Sequence, residues 1–170
     1  MDCPYCEHPV IEGADHCDEC GLPLDDRSLP PPQNAVELAL LTDRISQFEG
    51  KRPLLISASL PVREAIKLLA LNNIGSMLVI DKGEMVGIFT ERDVLLKVAD
   101  NLAEFGDKPV RQFMTSQVES LPTTAKVAFA LHRMDLGGYR HVPILNENGR
   151  PVGIFSIREM LRYLTRVMTE

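Results

Sequence analysis

Met77-Leu78-Val79-Ile80-Asp81-Lys82-Gly83-Glu84-Met85-Val86-Gly87-Ile88-Phe89-Thr90-Glu91-Arg92-Asp93 decides how this chain folds. Two short apolar runs flank a glycine turn, the pattern of adjacent strands. Thr90 followed three residues later by Asp93 then reads as the start of a helix. The pattern returns downstream. Val142-Pro143-Ile144-Leu145 repeats the first run at a shift of 65, and Val152-Gly153-Ile154-Phe155 repeats the second at 66, with Gly149 in the turn between. One residue inserted in that turn accounts for the change. Working outward, Val62, Ala65, Ile66 and Leu69 form one face of a helix and recur as Val127, Ala130, Leu131 and Met134. A second amphipathic helix closes each copy, with Val94, Leu95 and Val98 in the first and Met160, Leu161, Leu164 and Val167 in the second. The order per copy is strand, helix, strand, strand, helix. A lone unit of roughly 50–60 residues buries little apolar surface, so two copies packed sheet against sheet are expected to share a core.

The run Gly87-Ile88-Phe89-Thr90-Glu91-Arg92-Asp93 resembles the signature of CBS domains, regulatory repeats that occur in tandem pairs called Bateman modules. The resemblance spans about residues 36–168. It implies an α/β fold, a pseudo-two-fold pair of β-α-β-β-α repeats with a cleft between them. It also implies an adenosyl ligand there (AMP, ADP or ATP, in some members NAD(H) or S-adenosylmethionine) and assembly as a homodimer of modules. A regulated enzyme or transporter would be a separate chain.

Thr90 and Asp93 satisfy the family pattern of Gly, two apolar residues, Thr or Ser, two of any kind, then Asp. Free N–H groups where a strand becomes a helix attract phosphate, and a carboxylate in the first helical turn can accept ribose hydroxyls. The plain alternative is a capping box, which only satisfies the helix end. Ser156-Ile157-Arg158-Glu159 fits the box better, because Glu159 stands where Asp is expected. Arg140 and His141 look like the basic residues that face ligand phosphates in several members; Gly75 and Ser76 occupy the matching positions of the first copy. The resemblance alone places adenine near Ile56-Ser57-Ala58 and Leu121-Pro122-Thr123, which makes Ser57 and Ala58 candidate contacts. Met77 and Val142, at strand starts, read as core before they read as ligand contacts.

The N-terminus carries a separate signal. Cys3, Cys6, Cys17 and Cys20 are the only cysteines, arranged as C-x-x-C, ten residues, C-x-x-C. Two such knuckles bring four thiolates to one tetrahedral ion. Residues 1–24 resemble the short zinc-ribbon family. Zinc is the expected metal and a rubredoxin-like iron site the rival; a thiol redox pair is a weaker one. His8 and His16 read as exposed loop residues rather than ligands. Four thiolates leave no open coordination position, so no catalytic residue is assigned here or elsewhere: no nucleophile, base and orienting group stand together.

Net charge is −6, unevenly distributed. Residues 1–28 hold eight acids and one base, a local charge of −7, which leaves +1 for the rest. An acidic finger is a poor match to a phosphate backbone, so nucleic acid is disfavoured as a partner. No apolar run reaches the ~18 residues a bilayer requires, and the N-terminus lacks the apolar centre of a signal peptide; a cytoplasmic setting, with reduced thiols, is the expectation. Residues 25–34 read as a proline-stiffened linker through Pro30, Pro31 and Pro32. Leu38, Leu41, Ile45 and Phe48 read as a leading helix ended by Gly50. The division is then a ribbon at 1–24, a linker at 25–34, the leading helix and first repeat at 35–108, and the second repeat at 109–170. Three functions fit: a non-enzymatic sensor of an adenosyl nucleotide whose ribbon meets a partner protein; a metal- or redox-responsive adaptor without nucleotide binding; and a nucleic-acid-associated regulator.

Overall fold

The computed structural model describes residues 2–3, 5–6, 8–11, 14–24, 32–48 and 52–169. β1 (Leu55–Ser57) pairs in parallel with β2 (Ser76–Asp81), and β2 pairs antiparallel with β3 (Glu84–Thr90). A parallel pair needs a crossover, and α2 (Val62–Asn72) supplies it. The second copy repeats the order with β4 (Leu121–Pro122), α5 (Val127–Gly137), β5 (His141–Leu145) and β6 (Pro151–Ser156). Two three-stranded sheets result, ordered β1-β2-β3 and β4-β5-β6. This is the α/β duplication expected from the periodicity.

The chain divides into two compact units: residues 1–50, 121–144 and 155–170, and residues 51–120 and 145–154. Each has its own apolar cluster. Ile56, Val62, Ala65, Leu69, Met77 and Phe89 anchor one; Leu121, Val127, Ala130, Met134, Val142 and Phe155 anchor the other. Met77 and Val142 are fully buried, as the core reading expects.

The leader of each repeat is exchanged. Ile45 N–H donates to the Ala125 carbonyl at 2.8 Å, Ser46 N–H to Thr123 at 3.0 Å, and Val127 N–H to Asp43 at 3.0 Å. In the other unit Val110 N–H donates to Leu60 at 2.8 Å, Arg111 N–H to Ala58 at 3.1 Å, and Val62 N–H to Lys108 at 3.0 Å. The two sets match residue for residue at a shift of 65, with donor and acceptor copies swapped. The segment leading into the first repeat thus packs with the second.

The leading helix is also shorter than its periodicity predicts. α1 (Ala35–Thr42) starts at Asn34, whose side chain accepts the Glu37 N–H, and ends before Asp43, which is extended at φ −75° and ψ 146°. Backbone partners on the second repeat compete successfully with helix continuation there. Ile45–Gln47 forms a single 3₁₀ turn instead. The Phe48 ring lies 5.0 Å from Phe155 and 4.8 Å from Tyr163, and the Tyr163 hydroxyl donates to the Asp43 carboxylate at 2.9 Å. Burial, then the Asp43 carboxylate, push the Tyr163 phenol well above its usual range. The apolar spacing of Ile45 and Phe48 thus reflects packing, not helix. Gly50, Pro30 and Pro31 lie outside the described residues.

The closing helices differ. α6 (Ile157–Thr169) is continuous. The first copy is broken into α3 (Glu91–Asp93), a wide π turn over Val94–Val98, a 3₁₀ turn over Ala99–Asn101 and α4 (Leu102–Phe105). The expected single helix is not formed. The wide turn coincides with Lys97 folding back onto Asp93 and the Phe113 carbonyl.

Candidate functional site

The two knuckles are built alike. Cys3 N–H donates to the His8 carbonyl at 2.9 Å and Cys17 N–H to Leu22 at 2.9 Å, while Asp2 bridges Pro9 and His16 bridges Pro23. Gly21 takes φ +70°, the left-handed geometry that reverses the second knuckle. These turns aim four sulfurs inward, all within 4.8 Å of one another. Cys3 and Cys20 Sγ are 3.7 Å apart and Cys6 and Cys17 Sγ 3.6 Å. A tetrahedral ion with ~2.3 Å metal–sulfur bonds places its sulfurs ~3.8 Å apart, whereas a disulfide closes to ~2.0 Å. The donor set therefore fits a tetrahedral metal. His8 and His16 are exposed.

The thiols are not equivalent. Burial pushes Cys6 up to about 11 and Cys20 higher still. Burial acts on Cys17 in the same sense, but backbone N–H groups of Cys20 and Glu19 donate to its sulfur and bring it below its ordinary value. A metal would supply the missing positive charge to the whole set.

In the first repeat, Thr90 and Asp93 form a reciprocal capping box. Asp93 is 5% exposed. Its Oδ2 accepts from Thr90 N at 2.9 Å and Thr90 Oγ1 at 2.7 Å; its Oδ1 accepts from Lys97 Nζ at 2.6 Å and Thr115 Oγ1 at 3.0 Å. A carboxylate offers about four lone-pair positions, so this one is fully engaged. In the second repeat, Ser156 N–H and Oγ both donate to Glu159 Oε2 at 3.1 Å, and Glu159 N–H returns a bond to Ser156 Oγ at 3.3 Å.

The carbonyl before β5 ties the second site together: Arg140 O accepts Ile157 N–H at 3.2 Å, as Gly75 O accepts Glu91 N–H at 3.1 Å in the first copy. Arg140 is exposed, His141 half-buried and Ser76 buried. Arg140, His141, Ser156 and Glu159 thus gather in one unit, and Ser57, Ala58, Thr90 and Asp93 lie in the other. Ser57 is exposed, its hydroxyl 2.8 Å from that of Ser59. Ala58 is buried, and both its backbone groups are taken, N–H by Ile80 and carbonyl by Arg111. Sequence reasoning missed Lys97 and Thr115. A basic residue one helical turn beyond Asp93 was the available signal for Lys97; Thr115 had none.

Comparison with known proteins agrees with this architecture. The CBS domain family matches residues 45–100 and 110–166, two segments whose starts are 65 residues apart. The chain belongs to the CBS-domain family. It is 36% identical over 130 residues to an uncharacterized 17.7 kDa protein of Acidianus ambivalens, covering 76% of this chain and 77% of that one. It spans about a quarter or less of the length of the next relatives it matches. The CBS domain protein PAE2072 of Pyrobaculum aerophilum, solved with AMP, is 27% identical with a TM-score of 0.64, covering 75% of this chain and 100% of that one. The CBS domain pair of protein MJ0100, solved with 5′-methylthioadenosine and S-adenosyl-L-methionine, is 25% identical with a TM-score of 0.64, over 73% of this chain and 97% of that one. Among the described residues no helix is long and apolar enough to cross a membrane.

Proposed function

We propose that this chain is a non-enzymatic regulatory protein that binds an adenosyl nucleotide of the AMP, ADP and ATP class through its CBS pair. The observation that carries the reading is its similarity to the AMP-bound pair, which the chain covers in full. Regulation follows if the nucleotide prefers one of two states of the protein, and a partner senses the difference. Ser57, Ala58, Thr90 and Asp93 are the candidate contacts in one unit, and Arg140, His141, Ser156 and Glu159 in the other. A ribose hydroxyl at Asp93 would replace one of its four donors. Lys97, 41% exposed, is the donor water can receive at least cost. The N-terminal ribbon holds zinc, with iron as the alternative, and offers the exposed Asp15 and Asp18 to a regulated protein. Leu71 and Leu136, equivalent positions in α2 and α5, are 82% and 69% exposed and support a homodimer, which sedimentation would check.

The test is thermal unfolding with AMP, ADP, ATP, NADH and S-adenosylmethionine added in turn. A ligand at a hundredfold excess over its Kd stabilises by about 2.7 kcal/mol. One or more of the five should raise the midpoint. A flat result with all five would leave the adaptor reading.

A further inference from the structure

The duplication supplies an internal reference for the ribbon. α2 and α5 are equivalent helices, burying Val62, Ala65 and Leu69 in one and Val127, Ala130 and Met134 in the other. Of the positions at which their residues differ, two bear on the ribbon. Glu64 is exposed and ion-paired with Lys67, whereas its counterpart Phe129 is 4% exposed. Leu68 is matched by Arg133, whose guanidinium lies 5.3 Å above the Phe129 ring. The same guanidinium donates to the Glu19 carbonyl at 3.2 Å and stands 3.8 Å from the Glu19 carboxylate.

Glu19 therefore faces both ways. It stands between the buried sulfur ligands Cys17 and Cys20 in sequence, and its carbonyl accepts from Arg133 on α5. The apolar side of the ribbon leads in the same direction: Cys3, Tyr5, Cys17 and Cys20 belong to one continuous buried cluster with Ile45, Phe129, Met134 and Phe155. A segment of about 24 residues cannot hold such a face in place by itself; it needs the ion, the second repeat, or both.

We infer that the four-cysteine centre is a folding element of the second repeat, so that metal loading tightens α5 and the cluster around it and metal loss loosens them while the first repeat keeps its order. The inference rests on the metal reading above and not on the nucleotide. Coupling of this kind is reciprocal: what holds the ribbon to α5 must also tighten binding of the ion.

The experiment uses the full chain as purified. Metal content is measured first, then amide exchange is followed by mass spectrometry before chelation, after it, and after zinc is returned. Exchange in peptides covering 127–137 is expected to accelerate roughly tenfold or more on chelation and to recover with zinc, while peptides covering 76–90 change little. Arg133→Leu, which installs the residue α2 carries, should retain a full complement of metal yet hold it several times more weakly in competition with a chelator at equilibrium. Protein that holds no stoichiometric ion in its four sulfurs overturns both the metal reading and this inference. A stoichiometric ion whose removal affects only peptides within 1–24, or affects both repeats equally, overturns the inference alone. Unchanged metal affinity in Arg133→Leu does the same for the Glu19 link.

Discussion

The first and second copies end their last strand in the same Ser/Thr-x-x-acid box, and then diverge. Asp93 is buried and saturated by Thr90, Lys97 and Thr115. Glu159 is half-buried and bonded through one oxygen to Ser156. The shorter acid is pulled inward, where Lys97 and Thr115 reach its second oxygen; the longer one caps its helix and stops. In a duplicated chain the motif that best matches a binding signature can thus be the one most committed to its own structure.

The largest effect that would break this comparison is on stability. Asp93→Ala removes the acceptor shared by four donors at a buried position and should cost about 2–3 kcal/mol in urea denaturation. Glu159→Ala removes one cap and should cost about 1 kcal/mol or less. Equal losses would mean that the extra donors at Asp93 contribute nothing. Because a destabilised protein can lose ligand for that reason alone, nucleotide affinity of Asp93→Ala is to be measured well below its unfolding midpoint.

A smaller effect sharpens the same contrast. Lys97→Met keeps the aliphatic stem and removes the ammonium from Asp93 Oδ1. We expect a stability loss of about 1–2 kcal/mol, toward the lower part of the cost of an unsatisfied buried acceptor, because Asp93 keeps three of its four donors. If a ribose hydroxyl takes the vacated position, the variant should bind the nucleotide found in the screen several times more tightly at the same time. Weaker binding would show that Lys97 serves the ligand directly instead.

The duplication itself was legible because helix faces and strand runs repeat their residue types at 65 and 66. The four cysteines were legible because thiolate spacing carries its own chemistry. The exchange of leaders was not. Ile45, Ser46, Val110 and Arg111 make it with backbone N–H groups, which every non-proline residue has, so no side-chain pattern marks it. The break in the first closing helix was hidden for a related reason: Val94, Leu95 and Val98 keep helical spacing while the π turn widens beneath them. The docking of the ribbon left a trace that went unread. Phe129 and Arg133 stand where the other copy has Glu64 and Leu68, and a buried aromatic ring in place of an exposed acid marks a face of α5 that something covers.

The smallest expected effect lies where the copies agree in shape and differ in residue. α2 and α5 both end on a left-handed residue, Asn73 at φ 49° and Gly138 at φ 61°, each N–H accepted 3.2 Å away by the equivalent carbonyl, Ala70 or Asp135. Asparagine tolerates this region and glycine enters it freely, but glycine gives up more freedom on folding. These terms oppose, so Gly138→Asn should change stability by no more than about 0.5 kcal/mol, and a Cβ there meets nothing within 4 Å. The neighbour behaves differently. A Cβ on Gly137 would lie 1.9 Å from the Tyr139 ring, so Gly137→Ala must displace that side chain. Its counterpart, Asn72, carries a side chain and bonds the Leu68 carbonyl at 2.8 Å. Calorimetry of the two single variants should therefore separate them, with Gly137→Ala the more costly. The reverse order would mean that the left-handed turn, and not the Tyr139 ring, is what demands two glycines in the second copy.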